Sequence, residues 1–378
     1  MSAIFVAFRE RSSRAGDVPG VFCRARLSGR FGGSRMTRRT RPTLADVAAR
    51  AGVSLKTASR ALNDEYGVAD TTAERVRQAA RQLGFRRNQL ARALATRQTS
   101  ATVGLVIPTV SDPFFAALAA AVEATLAPRE LGLISASHSD DVTRQRMLTR
   151  ALVERRVDAL VVVSAPGDSS YLQLDIDHGL AVGAVDRPLE GVSVDSVVID
   201  NRGAARVAVA ELVAAGHRRI AVIGFDARLW TMGERYDGYL DALAQAGISL
   251  DTSLVALSCG DAAQAEATVT AMLRAPEPPT AVFALHNRSG RAAIRAMLAV
   301  GAVVDLTVFD EVADPDLLVI PPLTVVASDP RRLGAAAAAM TLERLDGLQG
   351  PARSVVLPPL FQHPRAAAGQ LRTDRVVT

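Results

Sequence analysis

Between residues 101 and 310 the sequence repeats one pattern: short apolar runs separated by amphipathic stretches. The runs are TVGLVIP, LGLISAS, DALVVVS, AVGAVD, RIAVIGF, TAVFALH and DLTVFD, and RGAARVAVAELVAAG after residue 201 is typical of what lies between them. Runs of this length, apolar on both faces, read as strands of a parallel sheet covered on each side. Strands alternating with helices imply open α/β sheets, in which ligands bind beyond the carboxyl ends of the strands. The residues just after each strand are therefore the first candidates for a site.

Charge divides the chain in two. Residues 1–99 hold 20 Lys or Arg against 7 Asp or Glu, while residues 100–378 hold 24 against 32. A basic end on an acidic body suggests a nucleic-acid-binding head, although a solvated basic tail would carry the same charge. Residues 1–35, rich in Arg, Ser and Gly and without periodicity, read as a disordered extension. Met36 is the expected translation start, because organised sequence begins just after it.

The head shows two short helical patterns in PTLADVAARAGVSLKTASRALND. Thr43 caps the first, whose apolar positions are Leu44, Val47, Ala48 and Ala51. Gly52 ends it, and Ser54 caps a second helix over residues 55–62. The three-residue link GVS has the length of a helix-turn-helix connection. In the second helix Ala58, Ala61 and Leu62 point inward. Leu55, Lys56, Ser59 and Arg60 occupy the opposite arc, where a recognition helix meets base edges. Lys56 is the only lysine of the chain. A third helix, TTAERVRQAARQLG, is expected to open with a capping box of Thr71 and Glu74 and to stop at Gly84.

Together with FRRNQLARALATRQTS, this head resembles the LacI/GalR family of bacterial transcription regulators. The family's hinge has the form Asn-x-x-Ala-Arg-x-Leu, matched by Asn88, Ala91, Arg92 and Leu94. The resemblance implies that this hinge enters the minor groove, with Leu94 as an apolar wedge between base steps. It implies base contacts from Leu55, Lys56 and Arg60, and phosphate contacts from Ser54, Thr57, Ser59 and Asn63. Arg87 departs from the pattern, since the family usually has proline before the asparagine.

Family-like segments continue in order to about residue 365. They imply a periplasmic-binding-protein-like body of two doubly wound α/β subdomains joined by three crossovers, with an effector cleft between them. The expected domains are thus a helix-turn-helix head at 36–84, a hinge at 85–99, and an effector-binding and dimerisation domain at 100–378. Residues 101–199 with 326–350 are expected to form one subdomain, and 200–325 with the tail after 351 the other. Strand ends and the resemblance together nominate Asp112, Phe114, Phe115, Arg187, Trp230, Arg235, Asn287 and Asp310 for the effector, with Asp186 beside them. Planar Arg, Asn and Asp groups can engage neighbouring hydroxyls, and aromatic rings can cover a sugar face. For Arg235 and Asp310 a plain ion pair across the cleft fits equally well, and a phenylalanine of the 114–115 pair fits the core. Arg288 stands where the family usually has Asp, and Val308 where it has Gly.

Other classes find little support. There is no G-x-G-x-x-G after a strand, no P-loop, no G-x-S-x-G elbow and no metal-spaced His/Cys set. Cys23 and Cys259 form no framework, and neither metal nor cofactor is expected. His217 reads as a cap on a helix end. No apolar run reaches about 18 residues, and MSAIFVAF is too short for a signal peptide, so a cytoplasmic, nucleoid-associated protein is expected. The whole reads as a homodimeric repressor that binds a pseudo-palindromic operator and answers to a sugar-like effector. The alternative is a regulator of the same fold that has lost small-molecule sensing.

Overall fold

The computed structural model describes residues 42–85, 100–312 and 323–363. The extension at 1–35, Met36 and the hinge residues Asn88, Ala91, Arg92 and Leu94 lie outside the described residues. The chain divides into two compact units, at 1–87 and 88–378.

The head is three helices, α1 (Leu44–Ala51), α2 (Leu55–Leu62) and α3 (Asp70–Leu83). Thr43 Oγ1 accepts from the Asp46 amide while Asp46 returns a bond to the Thr43 amide, closing a capping box at α1. Gly52 then turns the chain in the left-handed region (φ 63°), where a side chain would be strained. Ser54 Oγ accepts from the Thr57 amide and starts α2. Val47, Ala48, Ala51, Ala58, Ala61, Ala73, Val76, Ala79 and Ala80 form the buried core. The small alanines let three short helices approach closely. The Thr71–Glu74 capping box does not form. Helix α3 begins one residue earlier, at Asp70, behind an Ala69 that offers no cap, and Glu74 is taken by Arg81 and Arg77 instead.

The body holds two six-stranded sheets. The first is made of β1 (Thr102–Ile107), β2 (Gly132–Ser137), β3 (Ala159–Val162), β4 (Ala181–Val185), β5 (Asp195–Ile199) and β11 (Ser354–Leu357). The second has β6 (Ile220–Ile223), β7 (Val255–Ala256), β8 (Ala281–Ala284), β9 (Asp305–Phe309), β10 (Leu323–Ala327) and β12 (Leu360–Gln362). Their orders, β2-β1-β3-β4-β5-β11 and β7-β6-β8-β9-β10-β12, correspond strand for strand. All pairs are parallel except β10 with β12. The helices are α4 (Pro113–Leu126), α5 (Val142–Glu154), α6 (Gln173–Asp177), α7 (Asn201–Ala214), α8 (Trp230–Gln245), α9 (Ala262–Leu273), α10 (Asn287–Val300) and α11 (Pro330–Leu345).

Alternate residues of one strand serve opposite layers, as continuous apolar strands require. Val103, Leu105 and Ile107 of β1 pack into the large core with α4, whereas Val106 faces Leu152 and Leu160 on the other side. Two helix pairs, α4 with α11 and α7 with α8, approach at a glycine. A Cβ on Gly334 would strike the Leu118 carbonyl, and one on Gly238 the Arg202 carbonyl. Close backbone approach therefore fixes both helix pairs.

The C-terminal part follows the expectation except at β11, which was expected in the second subdomain. Strand β10 belongs to the second sheet, α11 packs on the first, β11 adds to the first sheet beside β5, and only β12 returns to the second. The tail is thus shared by both subdomains.

Candidate functional site

On the head, the outward face of α2 is the predicted one. Ala58 and Ala61 are buried against α1 and α3, which turns Leu55, Lys56, Ser59 and Arg60 outward. These four line one shallow depression with Leu44 and Glu65. Leu55 is 54% exposed. Ser54 and Thr57 are bonded to each other, Oγ to Oγ1 at 2.8 Å. Arg60 Nη2 donates to the Tyr66 carbonyl, and its Nε lies 3.7 Å from Glu65 Oε2. Asn63 Nδ2 donates to the same carboxylate at 2.9 Å. Glu65, three residues past the end of α2, carries no pattern that marks it in the sequence.

In the body, the candidate residues gather at the carboxyl ends of the strands. Asp186 follows β4 and Asp310 follows β9, equivalent places in the two sheets. Both sit in the left-handed region (φ 66° and 64°), and their amides donate to the next strand, at Val197 and Val326. Aspartate tolerates this conformation better than most residues.

Arg235 of α8 is 3% exposed. Its Nε donates to Asn201 Oδ1 (2.8 Å), its Nη1 donates to the Leu285 carbonyl (2.6 Å) and lies 3.5 Å from Asp310 Oδ2. The guanidinium stands 4.0 Å from the centre of the Phe309 ring. Because α8 and β9 are parts of one subdomain, the Arg235–Asp310 pair lies within it rather than across the cleft. Arg187 is buried too, donating from Nη1 to Asp140 (2.6 Å) and the Ser164 carbonyl (3.1 Å), with Nε 3.4 Å from Asp186.

His286 joins the two subdomains. Its Nδ1 accepts from the Arg288 amide (3.2 Å), which places the proton of the neutral ring on Nε2, 4.0 Å from Asp112 Oδ2. Burial, then the charges of Arg235 and Arg288, hold the imidazole well below its ordinary pKa, so it is neutral. Asp112 also caps α4, accepting from the Phe114 amide. Burial raises the Asp186 carboxyl to about 6, against the pull of Arg187 and Arg235.

Among the described residues, three buried polar atoms here have no hydrogen-bond partner: Arg187 Nε, Asn287 Oδ1 and Ser328 Oγ. Asn287 is only 7% exposed, at the first position of α10. Leaving such groups unmatched costs about 1–3 kcal/mol each. Donors and acceptors of both kinds, at strand ends, suit a molecule with several hydroxyl groups.

Other nominated residues stand apart from this set. Phe115 is turned into the large core, edge-on to Phe114, and has almost no surface to offer a ligand. Phe114 is partly buried against the same core, and Trp230 opens α8 partly buried. Arg288 lies over the Phe225 ring at 4.6 Å. His217 closes the end of α7 through its amide, which donates to the Leu212 carbonyl (3.1 Å), but its side chain lies elsewhere: Nδ1 meets Thr280 and Nε2 meets Asp305, each at 2.9 Å, tying the starts of β8 and β9 together. Asn201, His286 and Ser328 were not nominated, yet each lies beside a strand end, where the same rule that found Asp186 applies.

Comparison with known proteins divides the chain at the same place. The profile of bacterial regulatory proteins of the lacI family matches residues 43–88. The profile of periplasmic binding proteins and the sugar binding domain of the LacI family matches residues 100–363. The chain is 35% identical over 334 residues to the HTH-type transcriptional regulator CelR of Thermobifida fusca, covering 82% of this chain and 94% of that protein. It is 31% identical over 311 residues to the HTH-type transcriptional regulator GalS of Salmonella typhimurium, covering 80% and 91%. Among solved structures, the CelR–cellobiose complex superimposes with a TM-score of 0.63 at 29% identity, over 86% of this chain and 100% of that one. The lac repressor dimer bound to operator shares the fold, with a TM-score of 0.70 at 22% identity over 86% and 99%.

Proposed function

Because the chain belongs to the LacI family of bacterial transcriptional regulators, and not to any class of enzyme, we propose that it is a cytoplasmic repressor. As a homodimer it binds a pseudo-palindromic operator, and a sugar-like effector in the body cleft modulates that binding. The carrying observation is the outward-facing row Leu55, Lys56, Ser59 and Arg60, the first two exposed and the last two half-buried, on a capped helix held by a buried alanine face. Lys56 and Arg60 donate to guanine O6 and N7, and Leu55 packs on a thymine methyl. Ser54, Thr57, Ser59 and Asn63 meet phosphates, which position the head without reading sequence. The hinge residues Asn88, Ala91, Arg92 and Leu94 enter the minor groove, and the two-fold of the dimer sets the symmetry of the operator.

In the cleft, Arg187, Arg235, Asn287 and Asp310 bond the effector, with Asp112, Phe114 and Trp230 at its margin. The unmatched Arg187 Nε and Asn287 Oδ1 support this reading, as does the cellobiose held by the related CelR. Effector and operator are then linked, so each changes the affinity for the other by the same factor. A second reading, a regulator that no longer senses a small molecule, is favoured by the pairing of Arg235 with Asp310, since the groups meant for the effector already hold each other.

Selection of bound duplexes from random DNA tests the operator reading, and failure to enrich any palindrome would sink it. On the selected operator, Lys56→Ala weakens binding by about 1–3 kcal/mol and relaxes one symmetric position. Equal weakening on all sequences would instead make Lys56 a phosphate contact. Thermal-shift screening with sugars separates sensing from its loss: stabilisation by a sugar that Arg235→Ala or Asp310→Ala abolishes supports an effector.

A further inference from the structure

Glu65 sits on the face of the head that meets DNA, where a carboxylate is repelled by phosphates. It lines the same depression as Leu55, Lys56, Ser59 and Arg60. One carboxylate oxygen accepts from Asn63 Nδ2, and the other faces Arg60 Nε at 3.7 Å. Among the described residues, the Arg60 guanidinium is engaged along one edge. Its Nε faces Glu65, its Nη2 donates to the Tyr66 carbonyl, and the group lies over Gly67, where a Cβ would come within 3.1 Å of Nη2. Nε and Nη2 form the side-on edge of the fork. The end-on edge, Nη1 with the second hydrogen of Nη2, can make two parallel bonds to guanine O6 and N7.

We infer that Glu65 is a positioning residue for sequence readout: its carboxylate holds Arg60 by the side-on edge and presents the end-on edge to a base. The inference rests on the operator reading above. An unanchored arginine on this surface is free to swing to the nearest phosphate, a contact every sequence offers. Anchoring removes that option in two ways. Swinging away would abandon the carboxylate, and the carboxylate left behind would face the phosphates unpaired. Glu65 therefore lowers binding to arbitrary DNA while preserving binding to a site with guanine opposite Arg60, which is specificity by disfavouring the wrong partner. Asn63 is held by the same group, so a phosphate contact and a base contact are set together.

The test uses the full chain and its selected operator beside a random duplex of equal length, with Glu65→Gln, Glu65→Asp, Arg60→Ala and the Arg60→Ala/Glu65→Gln pair. Glu65→Gln is expected to weaken operator binding by about 3- to 10-fold while random-duplex binding stays level or tightens, and to relax preference at one symmetric position. Glu65→Asp, which keeps the charge on a shorter arm, should recover part of that preference. In the Arg60→Ala background the Gln change should leave base preference untouched. Equal shifts on both duplexes would overturn the inference and make Glu65 a plain surface charge. Loss of preference that persists without Arg60 would also overturn it, and would mean that Glu65 itself accepts from a cytosine amine. If the unaltered chain enriches no sequence, the operator reading fails by itself. The Arg60 Nε–H resonance of the DNA-free chain then decides: it must move on Glu65→Gln, and a resonance that stays put refutes the anchoring.

Discussion

Asp186 and Asp195 lie in adjacent strands of one sheet, both buried, and their environments push them in opposite directions. Asp195 opens β5. Burial by itself would raise its carboxyl, but its bonds to Arg344 and Arg353 outweigh that and hold it far below the usual carboxylate range. Arg344 donates to it twice, at 2.8 and 3.1 Å, and Arg353 through Nε, Nη2 and its amide. Asp186 follows β4 at the other end of the sheet. Its nearest cation is Arg187, at 3.4 Å, and burial wins, raising the carboxyl to about 6. The difference teaches that burial does not decide the charge state; the number of well-aimed donors does. A carboxylate supplied with five donors is a clasp. One left short of them, at the ligand end of a sheet, is a place where something else can bond.

The largest expected effect comes from the clasp. Asp195→Asn takes away the buried charge shared by Arg344 of α11 and Arg353 beside β11 and should cost about 2–4 kcal/mol of stability, read by chemical denaturation. A cost below about 0.5 kcal/mol would erase the distinction between the two aspartates. The second effect has the opposite sign. The folded pKa of Asp186 stands above its unfolded value of 3.8, so its contribution is full below that value and is lost as pH rises through about 6. Asp186→Asn should therefore stabilise the ligand-free chain by about 1–3 kcal/mol at pH 7.5, with the gain shrinking toward pH 5. Asp195, held below its ordinary value, behaves in reverse: its contribution is present above pH 3.8 and is lost only as the medium grows more acidic. Unfolding followed across pH in each variant checks both signs. The smallest effect sharpens the comparison. Glu343→Gln removes only the half-exposed second partner of Arg353 and should change stability by less than about 0.5 kcal/mol. A loss equal to that of Asp195→Asn would make the clasp a property of the network rather than of Asp195.

What was legible in the sequence was what local chemistry fixes. Thr43, Ser54, Gly52 and Gly84 act at the positions read for them, because a cap depends on the three or four residues beside it. The Thr71–Glu74 box failed because Arg77 and Arg81, further along the helix, compete for the same carboxylate. The seven quoted apolar runs all hold strands, but five strands lie outside them: β5 and β10, which are as long as the strands that were read, and the shorter β7, β11 and β12. Asp310 was visible as a polar group at a strand end, whereas Arg235, inside a helix, was visible only through the family resemblance. That Arg235 also leans on Asn201 was not, since no periodicity links residues 34 apart.

The tail carries one more consequence. The chain passes between the two sheets after β5, between β10 and α11, and again between β11 and β12, and the Asp200 amide donates to the Leu357 carbonyl where the first and third passages run side by side. Neither half of the body is therefore a continuous piece of gene. A single recombination event cannot exchange one half alone, so the two halves are inherited as a pair.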